Sequence, residues 1–163
     1  MEANVKEEGI PHKLMVCLSK RGNQGKTKTI RALAELIIPN SKIAKAQWHK
    51  PTVAPGSWQT CHGDICVATK AKNGKLVGLC SHGDVATTIK DWLEFLGNQN
   101  CDIIFCACHT RGTTVKAVKD KAKKYGYTIV WTAPYTNDTA PAKTRAWQEW
   151  LNKKKAEHLE DFI

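Results

Sequence analysis

The chain has 163 residues, 42% of them hydrophobic, and a formal net charge of +10 at pH 7. That length holds one domain with its own core, and the composition is far from that of a disordered chain. No apolar run approaches the ~20 residues that cross a bilayer, and the amino end is polar and acidic rather than a secretory signal, so a cytoplasmic protein without membrane contact is expected.

Residues 1–12 read as a flexible tail, and residues 13–163 as a single domain. Lys13–Leu18 is a short apolar strand followed by a glycine-containing loop. From Thr29 to Ile38, Ile30, Leu33, Ala34 and Ile37 recur at helical spacing until Pro39 stops the helix. Residues 39–57 form a long loop with a short strand at Lys42–Ala46. Asp64–Lys70 and Lys75–Cys80 flank Asn73-Gly74, a hairpin signal that predicts a type I′ turn and an antiparallel pair. A helix follows over Val85–Leu96, then a buried strand over Asp102–Ala107 and a basic helix over Thr113–Tyr125. Tyr127–Thr132 is the last strand. A helix from about Ala140 to Glu157 closes the chain, and the i, i+3 spacing of Trp147 and Trp150, with Leu151, predicts its core face. Strands alternating with helices predict an α/β fold, with a mostly parallel sheet of about five strands covered on both faces and one antiparallel hairpin strand.

The loop at residues 19–29, Ser-Lys-Arg-Gly-Asn-Gln-Gly-Lys-Thr-Lys-Thr, carries the chemistry. Glycines let main-chain N–H groups wrap an anion, and the helix that starts here adds its free N–H groups and the positive end of its dipole. Gly22 and Gly25 shape such a loop, Lys26 reaches the β- and γ-phosphates, and Thr27 offers its hydroxyl to Mg²⁺. The nucleotide-binding set is therefore Arg21, Gly22, Asn23, Gln24, Gly25, Lys26, Thr27 and Lys28.

This strand, loop and helix resemble the P-loop NTPase superfamily, which implies a three-layer sandwich and a magnesium-dependent nucleoside triphosphatase. Lys20 stands where the usual pattern has glycine. The loop looks closest to that of the partitioning and division-site ATPases, in which a second lysine lies five residues before the invariant one. Arg21 holds that place here, and the resemblance implies a phosphate contact from it across a homodimer. The Asp-x-x-Gly and Asn-Lys-x-Asp motifs of translation-factor-like GTPases are absent, which favours ATP over GTP.

A magnesium-side carboxylate is expected at the carboxyl end of a strand, and Asp84 after Lys75–Cys80 meets that requirement; its other reading is a helix cap. Asp102 begins its strand at the opposite edge and is rejected. Arg111, in the turn after the strand that ends at Ala107, is placed to neutralise charge growing on a transferred phosphoryl group, with Thr110 or Thr113 as cap of the next helix. His82 and His109 share this edge as candidate bases.

Three functions fit this sequence: hydrolysis of MgATP with Lys26, Asp84 and Arg111 as the catalytic set, a small-molecule or nucleotide kinase using the same site, and a nucleotide-gated module. In the last, the basic helices Lys116–Lys124 and Lys143–Lys155 meet nucleic acid or a partner protein. Most of the seven cysteines sit in apolar runs as small hydrophobes. Cys61-His62 and Cys106-Ala-Cys108-His109 give zinc as the alternative, although no Cys-x-x-Cys pair exists.

Overall fold

Side chains alternate across a strand, and in this chain the alternation divides one sheet into two cores. The computed structural model describes residues 12–21, 25–50, 54–136 and 145–163. Its elements are β1 (Leu14–Ser19), α1 (Lys26–Ile37), β2 (Gln47–Trp48), β3 (Cys66–Lys70), β4 (Leu76–Cys80), α2 (Ala86–Asn98), β5 (Ile103–Cys108), α3 (Thr113–Tyr125), β6 (Thr128–Thr132) and α4 (Arg145–Glu160), with short 3-10 helices at Asn40–Lys45 and Trp58–Thr60. The expected tail up to Pro11, the loop residues Gly22, Asn23 and Gln24, and the expected start of the last helix lie outside the described residues.

The strands form a six-stranded sheet in the order β2-β3-β4-β5-β1-β6. β1 pairs in parallel with β5 and β6, and β4 with β5. From β5, Ile103, Phe105 and Ala107 join Ile30 and Leu33 of α1 and Ala156 and Leu159 of α4 in one core. Ile104, Cys106 and Cys108 face the opposite way and pack with Ile89 and Leu93 of α2 and Ala117 and Val118 of α3. An α/β fold with helices on both faces of a mostly parallel sheet is therefore present.

The sheet has six strands rather than about five, and the additional one is β2. The segment expected as a strand at Lys42–Ala46 is instead largely the 3-10 helix Asn40–Lys45. Pairing begins only at Gln47, opposite Ala68 of β3. The two antiparallel pairings, β2–β3 and β3–β4, both belong to β3, so a single strand, the expected hairpin strand, runs against the others. The hairpin sits at the expected place, but its turn differs. Gly74 has φ +88 while Asn73 does not enter the left-handed region. Gly74 N donates to Ala71 O at 3.0 Å and Ala71 N to Lys75 O at 2.8 Å. This is a three-residue loop closed by a left-handed glycine rather than a type I′ turn.

α1 begins at Lys26, directly from the loop, and ends because Ile38, at φ −113 and ψ 97, precedes Pro39. Asp102 serves the opposite edge as expected, and its Oδ2 accepts from Leu76 N at 2.8 Å. The last helix corrects the sequence reading. Trp147 and Trp150 are 41% and 48% exposed, and their rings stack on each other at 5.0 Å. The buried residues of α4 are Asn152, Lys155, Ala156 and Leu159. Lys155 thus leaves the expected basic surface; its ammonium donates to Thr132 Oγ1 at 2.7 Å, and burial lowers its pKa. No helix among the described residues is long and apolar enough to cross a membrane.

On the other face, Glu94 of α2 accepts hydrogen bonds from Lys121 and Lys124 of α3. The Lys121 bond first, then the Lys124 bond, holds the Glu94 pKa down at about 2 against an ordinary 4.5. A depressed carboxylate pKa gives stability that is complete above the unfolded value and lost as pH falls toward the folded one. Glu94→Gln is expected to be less stable than the parent at pH 7, and the gap should close between pH 4.5 and about 2. Urea midpoints of both proteins across that range check this.

Candidate functional site

Parallel strands bring their carboxyl ends to one edge of a sheet, where open α/β folds hold ligands. In this chain Ser19 of β1 is in register with Cys108 of β5. The loop after β1 and the turn after β5 therefore start side by side, and Ser19 Oγ donates to His109 O at 2.8 Å. Lys26, the first residue of α1, projects between them. Its ammonium donates to Lys20 O at 2.8 Å and to Cys108 O at 3.2 Å, and the residue is only 5% exposed. No carboxylate among the described residues forms an ion pair with it. Gly25 caps α1 at φ +85 and ψ 7, a left-handed conformation, and no side chain among the described residues caps the helix.

Thr27 is half-buried, with its hydroxyl 3.2 Å from Asp64 Oδ1 and 3.3 Å from Ser81 O. Asp64 is the carboxylate that the sequence reading missed. It lies just before β3, which runs antiparallel to β4 with Cys66 opposite Cys80. The amino end of an antiparallel strand shares the edge with the carboxyl ends of its parallel neighbours, so Asp64 arrives where a carboxylate was sought only from strand ends. Ser81, fully buried, donates to Asp64 Oδ1 at 2.8 Å and accepts from Ile65 N at 2.8 Å. His82 Nδ1 lies 3.0 Å from Asp64 Oδ2. These contacts fix both carboxylate oxygens.

Asp84 is at the same edge but away from Thr27. Its Oδ1 lies 3.5 Å from His109 Nε2, and its side chain is 54% exposed. It does not cap α2, whose capping position is Val85 with no side-chain bond. Arg111 is exposed in the turn after β5. The cap position of α3 is Gly112, without a side-chain bond, and the hydroxyl that accepts from His109 N, at 3.1 Å, is that of Thr114 rather than Thr110 or Thr113. Arg21 and Lys28 are exposed. Lys20, the departure from the usual pattern, donates to Thr136 Oγ1 at 2.6 Å and so ties the loop to the segment after β6. The structure thus joins Thr27, Asp64, Ser81 and His82 in one network, holds Lys26 beside it on the carbonyls of Lys20 and Cys108, and pairs Asp84 with His109.

α4 supplies a wall that the sequence reading did not foresee. Asn152, 3% exposed, accepts at Oδ1 from Gln148 Nε2 at 3.0 Å. A Cβ on Gly25 would lie 2.7 Å from that oxygen. All seven cysteines are free and buried. Cys17 and Cys108 Sγ lie 3.3 Å apart under the loop, and burial helps to push the Cys108 thiol up, after its hydrogen bond with Cys17. No group of three or more His, Cys, Asp or Glu residues suited to a metal occurs among the described residues.

Comparison with protein-family models, curated proteins and solved structures gives no match. The reading of the site therefore rests on its geometry and chemistry.

The Gly25 contact generates a stability prediction. Gly25→Ala should lose roughly 1–2 kcal/mol to the left-handed backbone alone, and more from the clash with Asn152. In an Asn152→Ala background the penalty should fall to the backbone part. Urea unfolding of the four proteins in this cycle measures the difference. An equal penalty in both backgrounds contradicts the contact.

Proposed function

We propose that this protein binds a nucleoside triphosphate, ATP rather than GTP, at the loop of residues 19–29 and cleaves its β–γ phosphoanhydride, with hydrolysis as the basal reaction. The observation that carries this reading is Lys26: a buried ammonium whose partners are two carbonyl oxygens, at 2.8 and 3.2 Å, at the start of a helix whose amino end has no side-chain cap among the described residues. A buried cation is costly without an anion, and free helix N–H groups attract one. The anion favoured by both is a polyphosphate, for which Lys26 exchanges its carbonyl partners.

The Thr27 hydroxyl and the Asp64 carboxylate, 3.2 Å apart, are hard oxygen donors and fit Mg²⁺, with water and phosphate oxygens as the remaining ligands. Bound there, the ion supplies neutralisation of the phosphate charge. Ser81 and His82 orient the carboxylate for that task, as outer-shell partners do. The magnesium side is thus assigned to Asp64, with Asp84 and Arg111 as outer groups at the same edge. Arg111 is placed to meet charge that develops on the transferred group. The fold suits a P-loop sandwich in strand direction and in the passage from β1 through the loop to α1.

Lys26→Ala should abolish MgATP binding in calorimetry; unchanged affinity overturns the reading. Asp64→Asn should weaken magnesium-dependent binding by about tenfold or more, since loss of a charged donor costs at least what loss of an outer-shell partner does, and Asp84→Ala by less. The reverse order returns the metal side to Asp84.

A second reading has one observation in its favour. The stacked pair Trp147 and Trp150 is exposed rather than core, and Lys154 lies 5.8 Å over the Trp150 ring. Aromatic faces beside cations are the means by which single strands are bound without sequence preference. If α4 meets nucleic acid, affinity for a single-stranded DNA oligomer should fall with salt along a slope of about −0.7 per phosphate contact, and Trp150→Ala should weaken it. No binding at low salt removes this reading.

A further inference from the structure

The Asp64 carboxylate belongs to two environments. Thr27 and Ser81 reach its Oδ1 from the phosphate-loop network. Asp64 is also part of the wall of a cleft of about 370 Å³, with Trp48, Pro55, Thr60, His62 and Ile65 among its other lining residues. That volume falls in the range of small-molecule sites, which combine apolar and aromatic walls with a few convergent polar groups. An attacking water needs no such chamber.

The walls define what fits. Trp48 is half-buried, and its indole N–H is held by Ile43 O at 2.8 Å, which fixes the ring plane. Trp58, outside the lining, packs beside it with ring centroids 6.2 Å apart. With Pro55 and Ile65 the indole makes an apolar surface for a flat ring. Thr60, His62 and Asp64 give the polar end. The described lining contains no lysine or arginine, and Asp64 contributes a negative charge. Arg31 reaches the back of this wall, where it donates to Cys61 O, but its side chain lines the groove between α1 and α4 with Lys28, Arg145, Lys153, Glu35 and Glu149, so an anionic acceptor such as a phosphomonoester finds no cationic side chain in the described lining.

We propose that this cleft holds a phosphoryl acceptor, a small neutral alcohol carrying a flat ring, with Asp64 as the wall it shares with the phosphate loop. The proposal rests on the nucleotide reading above. In the transfer, the acceptor oxygen forms a bond to the γ-phosphorus. The bond from that phosphorus to the β–γ bridging oxygen breaks, its electron pair leaves on the nucleoside diphosphate, and the hydroxyl proton is released to water. Nothing is oxidised or reduced. Catalysis of such a transfer is mainly positioning and electrostatics, and the network around Asp64 supplies the positioning. Two sources share this acceptor chemistry: nucleosides and other heteroaromatic alcohols.

The test uses the full chain with Mg²⁺ and γ-labelled ATP, offering uridine, thymidine and adenosine, then pyridoxine, then ring-free glycerol. A labelled phosphomonoester is expected with a ring alcohol and not with glycerol; nucleosides or pyridoxine as the productive arm identify the source. Saturation-transfer NMR without nucleotide should show the same compound touching the protein. Trp48→Ala should abolish that contact and raise its KM by about tenfold or more with a smaller effect on kcat, as expected for lost acceptor stacking. If the protein binds MgATP and releases phosphate only to water, with no ring alcohol in contact by NMR, the acceptor proposal is overturned while the nucleotide reading stands. Absence of MgATP binding by the parent protein overturns both.

Discussion

The burial of the Lys26 ammonium constrains everything at the carboxyl edge of this sheet. A cation with 5% of its surface exposed is stable only where dipoles or anions surround it. Here two main-chain carbonyls do so, one from the loop after β1 and one from the end of β5. They converge because β1 and β5 run in parallel with Ser19 opposite Cys108. That register in turn follows from side-chain alternation, which sends Phe105 into one core and Cys106 into the other. A shift by one residue would exchange the two faces and separate the carbonyls. The site geometry is thus a consequence of how the sheet is packed.

Much of this was legible in the chain. Apolar runs, the Asn73-Gly74 hairpin signal and helical spacing located five of the strands and all four helices, and the motif at Gly25-Lys26-Thr27 marked the carboxyl edge of the sheet. The failures have physical causes. β2 has two residues, too few for any periodicity, and its pairing with β3 is a tertiary event. On α4, i, i+3 spacing is shared by Trp147 with Trp150 and by Asn152 with Lys155, and hydropathy favours the tryptophans. The helix nevertheless buries the polar pair: Lys155 donates to Thr132 of β6, and Asn152 Oδ1 accepts from Gln148 one turn earlier. The Lys155 partner is distant in sequence, and no local pattern records it.

Asp64 was missed for a different reason. A carboxylate was sought where a parallel strand ends, and Asp84 satisfied that rule. The Asn73-Gly74 turn already implied that β3 runs the other way, and reversal moves the start of a strand to the edge where its neighbours end. Combining the hairpin with the edge rule would have placed Asp64 beside Thr27. The missing step was geometric, not chemical.

The flanks of the loop differ in charge, and this difference gives the edge a direction. The groove between α1 and α4 carries four cationic residues against two acidic ones, whereas the cleft on the Asp64 side has none among its described lining residues. In the proposed reading, polyphosphate charge would be attracted toward Lys26, the α1 amino end and the cationic flank, and an acceptor would approach from the side whose described lining holds no cation. An anionic nucleophile gains nothing from that side, and a neutral one has no net charge to be repelled by Asp64. The same carboxylate that closes the loop network would thereby select the charge of whatever enters the cleft.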